Sequence, residues 1–346
     1  MNNKLYKLLA VFVAITMVLA ACGTPATPVA TEAPAVSDAP AATEAPAATE
    51  VPTATEEPLN GTISVSGAFA LYPMMTVWAD EFHKLHPDVE FDVQGGGAGK
   101  GMTDTIAKAV DIGMISRSIK EEETAQGIFW VSVTKDAVFP IISSENPVAE
   151  QILAKGISQE IFAKIYITGE IKTWGEVVGD PTITDEIHVF TRSDASGAAE
   201  QWAKFAGGKA QEDLKGIGVN GEPAILDTVI KDPLSIGYGN LNSIFDLSSG
   251  NTVPGIIIPP IDIDKNGQAD AVEIYKVKED AFGAVANGTY PSPPARFENL
   301  ATLGKPEGLS LAFIEWILTD GQQYLESAGF VPLTPEQQAE SLAKLK

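Results

Sequence analysis

Arg117 and Arg192 are two of only three arginines in the 346 residues, and each lies in a run of small residues. The runs are D-I-G-M-I-S-R-S, from Asp111 to Ser118, and F-T-R-S-D-A-S-G-A, from Phe190 to Ala198. A third run, Q-G-G-G-A-G-K-G-M from Gln94 to Met102, puts glycine-rich backbone ahead of a helix-like stretch. A guanidinium offers a planar fork of N–H donors that suits a tetrahedral oxyanion. A helix start offers unpaired amides at the positive end of the helix dipole. Gly95, Gly96, Gly97 and Gly99 let backbone approach a ligand closely. Ser196 adds a hydroxyl donor, while Asp194 repels an anion and is instead placed to orient Arg192. The chemistry these residues can do together is recognition of a compact anion. The glycine run fits neither the Walker pattern nor G-x-G-x-x-G, since Gly101 follows Lys100.

The elements that would hold these loops alternate between strand and helix, as in α/β folds. Thr62 to Val65 reads as a strand, and Met75, Trp78, Phe82 and Leu85 repeat at helical spacing after Pro73. Val89, Phe91 and Val93 alternate as a strand leading into the glycine run, and a helix is expected from about Lys100 to Val110. Asp111–Ile115, Val138–Ile142 and Ile187–Thr191 read as further strands, the last leading to a helix with Trp202 and Phe205. A C-terminal helix is expected over 309–325, with Leu311, Ile314, Ile317 and Leu318 on one face.

The formal charge of −23 argues against nucleic acid and against anionic membrane surfaces as partners. It also supplies no long-range attraction for an anion, so the donors must be local and well aimed.

The N-terminus carries the marks of an export signal. Lys4 and Lys7 precede an apolar run from Leu8 to Ala20, shorter than the roughly 20 apolar residues a membrane span needs. That signal, residues 1–21, ends at the chain's only cysteine. Leu19-Ala20-Ala21-Cys22 resembles a bacterial lipobox, which implies that Cys22 is lipidated and that the protein is extracytoplasmic and anchored to the cell membrane. With one cysteine, no intramolecular disulfide can form. Residues 22–59 read as a tether: between Thr24 and Pro58 stand 11 Ala, 7 Thr, 7 Pro and 5 Glu, with no aromatic or basic residue. Such composition buries too little apolar surface to offset chain entropy.

From Ser64 to Leu333 the chain resembles the periplasmic phosphate-binding proteins of ABC transporters. The matching stretches are Ser66–Pro73 (S-G-A-F-A-L-Y-P), Trp78–Phe82, Q-G-G-G-A-G-K-G, D-I-G-M-I-S-R, R-S-D-A-S-G and Ala328–Leu333 (A-G-F-V-P-L). The resemblance implies a type II periplasmic-binding-protein fold: two α/β lobes with mixed sheets and a ligand cleft between them. It places lobe I at 60–141 and 300–346 and lobe II at 142–299, with crossings near Pro140-Ile141 and around Phe297 to Leu303. The implied ligand contacts are Ala70, Leu71, Ala98, Ser116, Arg117, Arg192, Ser196, Gly197 and Ala198. Family members carry hydroxyls where this chain has Ala70, Ala98 and Ala198, and some have aspartate at the place of Arg117. The implied function is capture of phosphate or a similar oxyanion for import through an ABC permease, by a monomer.

A second constellation lies in lobe II. Asp262, Asp264, Asn266, Gly267, Gln268, Asp270 and Glu273 match the twelve-residue calcium-loop pattern D-x-D-x-N-G-x-x-D-x-x-E. Asp262, Asp264 and Asn266 would offer side-chain oxygens, Gln268 its carbonyl, Asp270 a water-mediated contact and Glu273 two carboxylate oxygens to a structural Ca²⁺. The flanks do not read as an EF-hand helix pair, so 262–273 is expected to be an isolated insert.

Two other classes compete with transport. A secreted serine hydrolase would need Ser196 as nucleophile and His83, His86 or His188 as base, but Ser196 lacks the G-x-S-x-G elbow. The three histidines also lack zinc-ligand spacing. A lipoprotein for sensing or adhesion would keep the fold and dispense with the permease.

Overall fold

The computed structural model describes residues 58–346; the export signal, Cys22 and nearly all of the tether lie outside the described residues. The first elements are β1 (Gly61–Gly67), α1 (Tyr72–Leu85), β2 (Val89–Gly95), α2 (Ala98–Ile106), β3 (Ile112–Ile115) and β4 (Ile128–Ser143). There follow β5 (His188–Arg192), α3 (Gly197–Phe205), β6 (Ile217–Val219), α4 (Glu222–Lys231) and β7 (Ser235–Asn240). The chain then returns through β8 (Ala295–Leu303) and closes with α5 (Gly308–Leu318) and α6 (Pro335–Leu345).

These strands follow one path, β2-β1-β3-β8-β4-β7-β5-β6. The outer groups are parallel, β1 with β2 and β3, and β5 with β6 and β7. The central pairings of β8 with β3 and β4, and of β4 with β7, are antiparallel. Each parallel strand feeds a helix through a short loop, so several helix starts gather at the strands' carboxyl ends, where open α/β sheets bind ligands.

Two hydrophobic cores sit along this path. The first joins Ile63, Val65, Trp78, Phe82, Met114, Val131 and Val133 to Leu300, Phe313, Ile317 and Phe330. The second gathers Ala137, Phe139, Ile141, Phe162, Tyr166, Trp174, Trp202, Tyr238 and Tyr290. Strand β4 therefore leaves one core after Val133 and enters the other at Ala137, a few residues before the crossing expected at Pro140-Ile141. Its partner β8 crosses beside it, and their ladder slips register between Glu298 and Asn299. Such bulges bend and twist a strand locally.

The C-terminal helix is shorter than its spacing suggests. It ends at Leu318, and 3₁₀ turns take over from Asp320, where the Gly321 carbonyl accepts from the buried Trp78 ring nitrogen at 2.8 Å.

Candidate functional site

The loops singled out by their small residues meet face to face. The Gly99 amide donates to the Ala195 carbonyl at 3.0 Å, joining the glycine loop of the first lobe to the R-S-D-A-S-G turn of the second. A Cβ built on Gly97 would lie 2.6 Å from that same carbonyl, and Gly97 sits at φ +89°. Only glycine satisfies both conditions. On the other side, a Cβ on Gly197 would stand 2.5 Å from the Ser116 carbonyl oxygen. The Asn242 side-chain amide donates to the Ala70 carbonyl at 3.1 Å. The lobes are thus closed on one another.

Three helix starts converge here. Leu71 caps α1, Gly97 caps α2, and Ser196 caps α3, its hydroxyl accepting from the Ala199 amide at 3.3 Å. The first amides of each helix have no partner within the helix itself, which leaves those of Ala98, Gly197 and Ala198 suited to an anion. Ala70, Leu71, Ala98, Ser116, Ser196, Gly197 and Ala198 are all buried at this junction. The alanines contribute backbone donors and no hydroxyl.

Arg192 is held in one pose. Its Nε donates to Asp194 Oδ1 at 2.7 Å and its Nη2 to Asp194 Oδ2, so one edge of the guanidinium is committed. Phe69 lies with its ring centre 5.4 Å from the guanidinium carbon, a cation–π contact from the opposite lobe. Asp194 is braced in turn by the Gly221 amide at 2.9 Å. Gln211 pins the turn: its carbonyl oxygen accepts from the Ser196 amide at 2.8 Å while its amide donates to the Asp194 carbonyl at 2.6 Å. Preorganised donors of this kind spare the ligand the cost of ordering them.

Arg117 behaves differently from the expectation of an anion clamp. Both terminal nitrogens bond Glu123, at 3.0 and 2.6 Å, and one also donates to the Ser118 carbonyl. Its Nε lies 3.4 Å from Glu200 on α3, across the lobe boundary. Burial alone would raise the Glu123 carboxyl, yet Arg117 and the Lys120 amide hold it below the usual carboxylate range. Two acids beside one arginine neutralise its charge, so Arg117 bridges the lobes and Ser116 takes the place at the junction. Beside this bridge a cleft of ≈300 Å³ is lined by Gly99, Arg117, Lys120, Ser196, Glu200 and Lys209.

Phe69, Gln211, Gly221, Glu123 and Glu200 were not legible as site residues. Their roles arise from contacts between segments far apart in sequence, and no local motif marks them.

The hydrolase arrangement is not assembled. His83 Nδ1 meets the Val89 carbonyl at 2.7 Å, His86 packs at a tilt against Phe82 with ring centres 4.5 Å apart, and His188 pairs with Asp232 at 2.7 Å. Ser196 spends its hydroxyl oxygen on capping α3.

In the acidic insert, Asp262, Asp264 and Glu273 bring ligand oxygens within 4.8 Å of one another. Asp262 and Glu273 are buried, whereas Asp264 is exposed. Asp262 accepts from the Asn266 and Gly267 amides, each at 3.1 Å, wrapping the loop around that carboxylate. Gly267 takes the turn at φ +75°. The segment enters through a two-residue parallel pairing of Ile261–Asp262 with Ile157–Ser158 and leaves through a 3₁₀ turn, with no flanking helix pair among the described residues.

Comparison with known proteins agrees with this fold. Residues 52–321 match the PBP superfamily domain. The chain is 27% identical to the phosphate-binding protein PstS of Bacillus subtilis (strain 168) over 277 residues, covering 80% of this chain and 82% of that one. It is 26% identical to the protein of the same name from Pseudomonas aeruginosa over 310 residues, covering 83% and 87% of the two chains. Among solved structures, it resembles a phosphate ABC transporter substrate-binding protein with bound phosphate from Clostridium perfringens, with a TM-score of 0.62 and 24% identity over 79% of this chain and all of that one. An ABC-type phosphate transport receptor from Vibrio cholerae superposes with a TM-score of 0.58 at 20% identity, again over 79% of this chain and all of that one.

Proposed function

The chain belongs to the PBP superfamily, and from that premise we propose that it captures phosphate, or an oxyanion of the same shape, outside the cytoplasm and passes it to an ABC permease for import. The observation that carries the reading is the junction itself. The Asp194-braced Arg192 and the starts of α2 and α3 meet where the lobes close. Relatives with the name phosphate-binding protein PstS match over most of their own length. An anion entering the open cleft would take the free edge of Arg192, the Ser196 hydroxyl and the amides of Ala98, Gly197 and Ala198. Closure would then strip its water, and each bond would gain strength in the dry cavity. No residue is assigned a catalytic role. Lipid anchoring through Cys22 belongs to the same reading.

Equilibrium dialysis of the purified chain with labelled phosphate, sulfate and molybdate tests it. Saturable phosphate binding is expected; no saturable uptake of any oxyanion would leave sensing or adhesion as the better reading.

The acidic insert is proposed to hold one structural Ca²⁺ through Asp262, Asp264, Asn266, Gln268, Asp270 and Glu273. The convergence of three carboxylates, two of them buried, supports this, because such groups repel until a cation neutralises them.

A further inference from the structure

Where β4 and β8 cross between the cores, the structure buries a group of charges that anion binding does not use. Asp136 comes from β4, Arg296 and Glu298 from β8, and Glu222 from the start of α4; none is more than 7% exposed. Arg296 donates from Nη2 to Asp136 at 2.8 Å and from Nε to Glu298 at 3.0 Å. Asn240, at the end of β7, accepts from Arg296 and donates to Glu222, tying the third carboxylate to the same arginine. Ser243 also donates to Glu222.

Two carboxylates that are shut from solvent, Asp136 and Glu298, share one guanidinium, and the third, Glu222, reaches it through Asn240. Asp136 Oδ1, Glu298 Oε2 and Arg296 Nη1 are buried with no hydrogen-bond partner among the described residues. The remaining neighbours do not restore the balance. Tyr290 donates its hydroxyl to the Val138 carbonyl at 2.7 Å, and the ammonium of Lys135 lies over the Phe297 ring at 6.0 Å. An uncompensated buried carboxylate costs several kcal/mol and sheds that cost by taking a proton.

The group sits at the pivot and is wired to the anion site. Arg296 pairs with Asp136 in the ladder two residues before its register slip. Glu222 directly follows Gly221, whose amide braces Asp194 and through it Arg192. Asn240 lies two residues before Asn242, which reaches across to the Ala70 carbonyl.

We propose that this Asp136–Arg296–Glu298–Glu222 group keeps a shared proton while the lobes are closed, so that closure takes up a proton and opening releases one. The inference rests on the lobe closure of the proposed function and not on the identity of the anion. Burial pushes Glu298 up to about 8 and Asp136 up to about 6, with Arg296 only partly offsetting it. A carboxyl raised in the closed form and ordinary when solvated binds its extra proton between the usual carboxylate range and about pH 8. The closed form is therefore favoured at the acid end of that window and loses the advantage as pH rises.

Pulsed electron resonance between spin labels on Glu90→Cys and Asp185→Cys, in the full chain carrying Cys22→Ser and without phosphate, reads the lobe separation. The closed share is expected to fall severalfold from pH 6 to pH 9, and Glu298→Gln should abolish that dependence. An unchanged pH response in Glu298→Gln, or none in the parent, overturns the proposal. Should Glu298→Gln fail to fold, Asp136→Asn carries the same comparison. Because no phosphate is present, failure of anion binding in dialysis remains a separate result.

Discussion

Arg117 on the first lobe and Glu200 on the second stand 3.4 Å apart, with side chains 7% and 14% exposed, beside the helix start of α3. The pair can exist only while the lobes touch. An arginine that the sequence suggested as a ligand clamp is a fastening between lobes, and the two roles predict different kinetics.

Removing that fastening should change release more than capture. Glu200→Gln leaves Arg117 its two bonds to Glu123 and is expected to raise the phosphate off-rate severalfold with little change in on-rate, as stopped-flow would show. Arg117→Ala is harsher, since it leaves the buried Glu123 unpaired. It should lower thermal stability on a scale of about 3–5 kcal/mol, measurable by calorimetry without ligand.

Arg192→Ala should weaken binding more than Glu200→Gln does. Loss of a hydrogen bond to a charged group costs about 1.5–3 kcal/mol, or roughly ten- to a hundredfold in Kd. Titration calorimetry against phosphate checks this. Equal affinity in the variant and the parent would remove Arg192 from the site.

Gly197→Ala separates folding from closure. Gly197 opens α3 without a positive φ, so alanine suits its own lobe and adds helix propensity. Its methyl would nevertheless stand 2.5 Å from the Ser116 carbonyl across the boundary. The expected outcome is an unchanged or slightly higher melting temperature with phosphate affinity reduced at least tenfold. Parent-like affinity would show that the lobes do not meet there when the ligand is bound.

Calcium should stabilise the second lobe. Melting in excess EGTA is expected to occur several degrees lower than in millimolar Ca²⁺, and Glu273→Gln should shrink that difference. Calorimetric titration showing no binding at millimolar calcium would dismiss the ion.

The strands and helices around the small-residue loops were readable because their apolar periods are local: Val89, Phe91 and Val93 do form β2, and Trp78 and Phe82 do face the core of α1. The length of β4 was not. Only Val138–Ile142 stood out, because Lys135 and Asp136 interrupt the apolar run where the strand passes between cores. The grouping of Arg192, Ser196 and the glycine loop was legible from residue type. The commitment of Arg117 to Glu123 and Glu200 was not, because side-chain partners depend on tertiary contacts that spacing does not encode. The same holds for Phe69 over Arg192.

The position of β8 between β3 and β4 has a consequence for the order of assembly. A chain emerging N-terminus first can gather all of its second core except Val331 by Tyr290. The first half-sheet waits for Ala295–Leu303 to fill the gap between its strands, and its core waits longer for Phe313 and Phe330. Contacts of such long sequence separation form slowly. The lobe that opens the folded region is therefore the last to be completed, although its glycine loop meets its own partners, Gly67 and Ala195, much earlier.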